Sequence, residues 1–284
     1  MTKILSGKEV AAALKDELTA EAEELKKQGK TPGLCIVIAG DRPDSASYIK
    51  GAVKRCTDIG IDCQVEKLPE EISQDEFLRV LDRLNKDSKI NGIIIMRPLP
   101  GRISEDVVKY AIVPEKDVDC FNPINVSKVM SGEKDGFAPC TPSAVIEILD
   151  HYGIESKGKR AVLIGRSMVV GRPLSMMLLK RNATVTICHT RTQDLAQEAK
   201  RAEILIAAAG KARMVTKDMV SEGAVVIDVG INFDENGKMC GDVDFDNVSP
   251  IAGQITPVPG GVGSVTSTVL AKHVIEAFKL QQGL

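Results

Sequence analysis

Two groups of residues in this sequence have the types and spacing to do chemistry. The first follows the apolar run 161–164 and reads Gly165-Arg166-Ser167-Met168-Val169-Val170-Gly171. The run has the character of a buried parallel strand, and a helix is expected from Pro173, because proline suits a first helical turn. A strand that stops at glycine and feeds a helix N-terminus turns free backbone N–H groups and the positive end of the helix dipole toward an anion. This loop departs from the fingerprint G-x-G-x-x-G, since Ser167 holds the second glycine position and Gly171 comes later. The alternative is a tight strand–helix turn with no ligand.

The next strand, 184–188, ends Cys188-His189-Thr190-Arg191-Thr192, with no carboxylate before Asp194. An acid at that place would accept from the ribose hydroxyls of NAD, whereas arginine suits the additional phosphate of NADP. Arg166 and Arg191 can supply forked donors, so NADP is expected in preference to NAD. The alternative is two solvated surface arginines. Ala207-Ala208-Ala209-Gly210-Lys211 and Asp228-Val229-Gly230-Ile231-Asn232 follow two further expected strands. Open α/β sheets bind ligands at such strand ends, and small residues let a flat ring approach.

The second group lies in the first half. Asp119 sits in a loop two residues after Asp117, where a carboxylate can accept two N–H bonds from a polar heterocycle or belong to a solvated turn. Tyr48 follows a strand-end loop and is either a stacking platform or a core aromatic. It is conspicuous in a chain with 3% aromatic residues.

The elements that must position these residues alternate. A helix starts at a capping box, Ser6 with Glu9, and runs to Lys27 before Gly29. Strand 34–39 leads through the polar loop 40–44 to a helix carrying Tyr48, Ala52, Arg55 and Ile59 on one face. Strand 63–68, amphipathic helix 74–87 and strand 92–96 follow, then a loop-rich stretch from 114 to 139. Thr141 and Pro142 are expected to open a helix to His151, the bridge to a second α/β alternation with strands at 161–164, 184–188, 204–208 and 225–229. Asn236-Gly237 should turn a hairpin, and an amphipathic last helix, 266–280, should pack back on the first domain. The fold class expected is two-domain α/β: an open α/β substrate domain over 1–140, joined by the C-terminal helix 266–284, and a Rossmann-type parallel sheet over 141–265, with a cleft between them.

Composition narrows the function. In 284 residues, 37 basic side chains nearly cancel 39 acidic ones, to a net −2, so neither a nucleic-acid surface nor a polybasic membrane anchor is expected. Residues 1–7 lack a signal-peptide pattern, and no apolar run could span a bilayer. The seven cysteines form no C-x-x-C pair and the three histidines no metal-ligand spacing, so reduced thiols of a cytosolic protein are expected, without metal.

Taken together, the segments closely resemble the bifunctional methylenetetrahydrofolate dehydrogenase–cyclohydrolase family. Matching pieces are Asn91-Gly92-Ile93-Ile94-Ile95, Pro98-Leu99-Pro100, Lys116-Asp117-Val118-Asp119 and Pro139-Cys140-Thr141-Pro142 in the first half. In the second half they are Ile164-Gly165-Arg166-Ser167, Val170-Gly171-Arg172-Pro173, Asn182-Ala183-Thr184-Val185-Thr186, Ile227-Asp228-Val229-Gly230-Ile231-Asn232 and Thr256-Pro257-Val258-Pro259-Gly260-Gly261-Val262-Gly263. The resemblance implies a cytosolic homodimer with a tetrahydrofolate substrate and NADP. Its members oxidise 5,10-methylenetetrahydrofolate and then hydrolyse the methenyl cation to 10-formyltetrahydrofolate. It implies catalytic roles for Tyr48 and Asp119, and a folate site of these two with Ala52, Met96, Arg97, Pro98, Pro259, Gly260 and Gly261. The implied NADP site is Gly165, Arg166, Ser167, Gly171, His189, Thr190, Arg191, Ala209, Gly210 and Ile231.

The departures from the family pattern fall on one step. The family's lysine, four residues after the tyrosine and the acid/base group of hydrolysis, is here Ala52. Its assisting glutamine is Met96, and the following leucine is Arg97. Cys120 and Ala144 each replace a glycine, and Ser264 a proline. Hydride transfer needs positioning, with the chemistry carried by the cofactor, but hydrolysis needs a group that takes and returns a proton. Ala52 and Met96 cannot, and Arg97 stays protonated. The expectation is an NADP-dependent dehydrogenase whose cyclohydrolase step is lost or weak. The other readings are a proton relay through Tyr48, Asp119 or water that keeps both steps, and a folate- or NADP-binding regulatory protein without turnover.

Overall fold

Apolar runs bounded by glycine and polar turns become strands here, and stripes at helical spacing become the helices that cover them. The computed structural model describes residues 2–41 and 43–284; Arg42, in the expected polar loop 40–44, lies outside the described residues. Strand β1 (Lys3–Ile4) precedes α1 (Gly7–Lys27), followed by β2 (Gly33–Ala39), α2 (Pro43–Ile59), β3 (Asp62–Leu68), α3 (Gln74–Lys86) and β4 (Gly92–Ile95). Helices α4 (Glu105–Ala111), α5 (Pro123–Ser131) and α6 (Cys140–His151) come next. Then follow β5 (Arg160–Ile164), α7 (Gly171–Lys180), β6 (Thr184–Cys188), α8 (Leu195–Lys200), β7 (Ile204–Ala207) and β8 (Val225–Asp228). The chain ends with β9 (Asn232–Phe233), β10 (Met239–Cys240), α9 (Phe245–Val248), β11 (Gln254–Ile255) and α10 (Thr266–Gln282).

The chain forms two compact units, residues 13–140 with 267–284, and residues 1–12 with 141–266. In the first unit, β3, β2 and β4 make a parallel sheet in that order. Strand β2 is buried along its whole length, which matches its unbroken apolar sequence. Phe77, Leu81 and Leu84 of α3 pack with Val37, Ile93 and Ile95, and a reciprocal Ser73–Glu76 capping box fixes where that helix starts. Segment 116–119 runs beside β4, with Ile93 N donating to Lys116 O at 2.6 Å. The C-terminal helix α10 is counted in this unit: Gln281 Nε2 donates to Asn91 O and Glu115 O, and His273 Nδ1 lies 2.9 Å from Val118 O.

The second unit is a six-stranded sheet ordered β1-β11-β8-β7-β5-β6, with every pairing parallel. Residues 1–12, expected in the first domain, group with this sheet because β1 pairs with β11. Neither two-residue strand has an apolar run long enough to announce it. Helices α4, α5 and the four-residue α9 also lie where none was expected. Helix α4 precedes the loop-rich stretch, and α5 lies inside it, capped by Asn122, with proline at its start and Gly132 at φ 76° closing it. Helix α7 begins at Gly171, two residues before the expected Pro173. Helix α6 begins at Cys140, so Thr141 is inside the first turn and not its cap.

Phe77 is 1% exposed in the first unit's core, so Phe77→Ala should lower the unfolding free energy in urea by about 3–5 kcal/mol. A loss under 1 kcal/mol would show that α3 is not clamped to the sheet as described.

Candidate active site

The carboxyl end of β4 and the start of segment 116–122 carry the candidate residues of the first unit. Asp117 is buried and holds this segment in shape: its carboxylate accepts from Phe121 N (2.9 Å), Asn122 N (2.8 Å) and Asn125 Nδ2 (2.9 Å). Burial pushes its carboxyl up to about 6, against the pull of those donors. Asp119 is half-buried. Its Oδ1 accepts from Cys140 N, the first residue of α6, at 2.9 Å, and the Cys140 thiol also bonds to this carboxylate. A carboxylate has about four lone-pair sites, so acceptor capacity remains for an N–H of a ligand.

Tyr48, half-buried on α2, has its phenol raised well above the ordinary value, first by burial and then by Cys140 and Asp119. At neutral pH it keeps its proton and acts as a donor. Ala52, one turn on, is fully buried. The two lysines nearest in sequence point away from a buried role. Lys54 Nζ pairs with Asp58 at 2.9 Å with its side chain 74% exposed, and Lys50 is exposed. Met96 and Arg97 are half-buried at the end of β4, and the Arg97 guanidinium stacks 4.6 Å over the Phe121 ring. Cys120, between Asp119 and Phe121, holds φ at 59°, a left-handed conformation that suits the glycine of the family pattern better. Pro98 is exposed beside Arg97.

In the second unit, the expected nucleotide residues collect at the carboxyl ends of β5, β6, β7 and β8. Gly165 follows β5 with φ at 134°, and a Cβ there would lie 2.1 Å from Ala208 O, so only glycine lets this turn close on the β7 end. Gly171 backs onto the same turn, since its Cβ would meet Gly165 O. Ser167 Oγ accepts from Val170 N at 3.1 Å, while the N–H groups of Arg166, Ser167 and Met168 donate to nothing among the described residues. That is a cradle for a phosphate. After β6, His189 Nδ1 accepts from Arg191 N at 3.1 Å, which puts the neutral ring's proton on Nε2. Thr190, Arg166 and Arg191 are exposed, and neither arginine has an ion-pair partner among the described residues. Ala209, Gly210 and Ile231 are exposed at the β7 and β8 ends. Pro259, Gly260 and Gly261 belong to this unit too, on the loop before α10. Gly7 N donates to Gly260 O at 2.8 Å, and Gly261 is pressed against Pro257 O.

Two family models match, "Tetrahydrofolate dehydrogenase/cyclohydrolase, catalytic domain" over residues 5–119 and the same family's NAD(P)-binding domain over residues 139–282. The chain belongs to this family. Bifunctional protein FolD of Clostridioides difficile is 55% identical over 279 residues, covering 98% of this chain and 97% of that one. Its counterpart from Alkaliphilus oremlandii is 54% identical over the full length of both. Among solved structures, the bifunctional FolD of Campylobacter jejuni superposes with a TM-score of 0.97 at 42% identity, covering 99% of this chain and 100% of that chain. A Trypanosoma brucei FolD solved with NADP and an inhibitor gives 0.93 at 36%, covering 100% of this chain and 99% of that chain. The fold is the family's two-domain α/β architecture, with a Rossmann-like parallel sheet in the NAD(P)-binding domain.

Sequence reasoning missed the residues that shape these loops: Asp117, Asn125, Asp228, Asp242 and Thr256, all buried. For Asp228 and Asn125 the signal is a lone polar residue in an apolar stretch, as in Val226-Ile227-Asp228-Val229; Asp117 and Asp242 lie among other charged residues and lack it.

The raised Asp117 carboxyl gives a pH signature. Between the usual carboxylate value of 3.8 and about 6 the folded chain holds a proton that the unfolded chain has released. The stabilisation from this site is therefore complete below pH about 4 and is lost as pH rises to about 6. The difference in urea-unfolding free energy between wild type and Asp117→Asn should fall across that window and be flat above it; a flat difference from pH 4 to 7 would refute the assignment.

Proposed function

We propose that the chain oxidises 5,10-methylenetetrahydrofolate with NADP and has lost, or nearly lost, the family's hydrolytic step. The observation that carries this reading is Ala52: a fully buried methyl group where proton transfer needs an amine, with the nearby Lys54 tied to Asp58 on the exposed face. Bound NADP supplies the hydride acceptor. The chain supplies position. The Asp119 carboxylate offers an acceptor to the pterin N–H groups, and Tyr48 offers an O–H that burial keeps protonated. The turn at Gly165–Ser167 and the Arg191 guanidinium hold the phosphates. A proton relay through Tyr48 fits poorly, because a phenol raised by burial gives up its proton reluctantly. The homodimer and the cytosolic location implied by the resemblance belong to this same reading.

The purified chain should reduce NADP with methylenetetrahydrofolate, read as NADPH absorbance, while hydrolysing methenyltetrahydrofolate about 10²-fold or more slowly than the Campylobacter jejuni relative assayed beside it. Restoring the pair, Ala52→Lys with Met96→Gln, should raise hydrolysis by about 10²-fold. Wild-type hydrolysis at the relative's rate would sink the proposed loss. Arg191→Ala should raise the KM for NADP about tenfold and leave that for NAD unchanged; equal effects on both would remove Arg191 from phosphate recognition.

A further inference from the structure

The turn after β7 is held from behind by a carboxylate that the reaction itself does not use. Asp242 is 0% exposed and follows the β9–β10 hairpin. Its Oδ2 accepts from Ala209 N at 2.6 Å and Gly210 N at 2.9 Å, and its Oδ1 accepts from Lys211 N and Asn232 Nδ2, both at 2.9 Å. A second buried carboxylate backs it: Asp228 accepts from Gly230 N, Asp242 N and Val243 N at 2.9–3.0 Å. Gly230 and Gly241 make the room, since a Cβ at the first would lie 2.3 Å from Asp242 Oδ1 and at the second 1.8 Å from Asp228 Oδ2.

All N–H groups of residues 209–211 thus point inward, while Ala209 O and Gly210 O accept nothing among the described residues. Beside the turn, a Cβ at Gly210 would meet nothing within 4 Å. The geometry points to Asp242 as the positioning residue that makes this turn an acceptor-only surface, one that takes an N–H or O–H donor from the nicotinamide–ribose end of NADP and rejects a phosphate. This is the reverse of the Gly165 turn, where free N–H groups face outward. The inference rests on the proposed NADP reading, and its test keeps the two apart.

Three properties of the full-length chain are compared in wild type, Asp242→Asn and Gly230→Ala: amide hydrogen exchange at residues 209–211 without ligand, the Kd for NADP, and the Kd for adenosine 2′,5′-bisphosphate, which lacks the nicotinamide half. Asp242→Asn should speed exchange of those amides at least about tenfold and weaken NADP about 10–100-fold. The bisphosphate Kd should stay within about twofold. Gly230→Ala retains the carboxylate but displaces it, and should reproduce the pattern if Asp242→Asn does not fold. Equal weakening of both ligands, or unchanged exchange with unchanged NADP affinity, would overturn the proposal. If wild type binds neither ligand, the NADP reading has failed instead, and the exchange data still decide what Asp242 does.

Discussion

A loop at the end of a buried strand leaves backbone N–H groups that must find acceptors, and the second unit of this chain depends on how that demand is met. Two carboxylates, Asp228 and Asp242, meet it without a cationic side chain bonded to either among the described residues, each surrounded by N–H donors at 2.6–3.0 Å. Burying a carboxylate is costly unless its lone pairs are filled by strong, charge-assisted hydrogen bonds. Burial accordingly leaves the Asp228 carboxyl raised to about 6. The result is a set of strand-end turns whose polarity is chosen one by one, N–H outward after β5 and C=O outward after β7.

The first unit follows the same logic with different consequences. Asp117 fills its lone pairs with N–H donors and becomes part of the scaffold, while Asp119, two residues on, accepts from the start of α6. Acids so close in sequence differ in how many backbone donors reach each. In the same unit Ala52 is fully buried, and Arg97 stacks on Phe121.

Much of the architecture was legible because burial writes itself in residue type. The strands β2, β4, β5, β7 and β8 are apolar runs, and α3 shows its stripe at helical spacing. Strands β1 and β11 were not legible, since two residues carry no periodicity and their pairing is decided by the sheet they join. Helices α4 and α5 are too short to show a clear face. Asp228 and Asp242 escaped for another reason: all but one of their partners, Asn232 Nδ2, are backbone N–H groups, which leave no mark on residue type. The tight turn after β5 was legible from Gly165, whereas Ala52, Met96 and Arg97 gain meaning only against the family's pattern.

That contrast bears on how such a chain can drift. A Cβ at Gly165, Gly171, Gly230 or Gly241 would collide with backbone or with a bonded carboxylate, so change in the NAD(P)-binding half endangers folding before it touches catalysis. Ala52 is a buried methyl group on α2, and Met96 and Arg97 sit at the end of β4, half-buried, where a side chain can be exchanged without breaking a ladder. The strand-end side chains of the first unit are thereby open to exchange, while the turns of the second are guarded by the geometry of the fold. A lineage could alter the former in a few substitutions, and could not as readily reshape the latter.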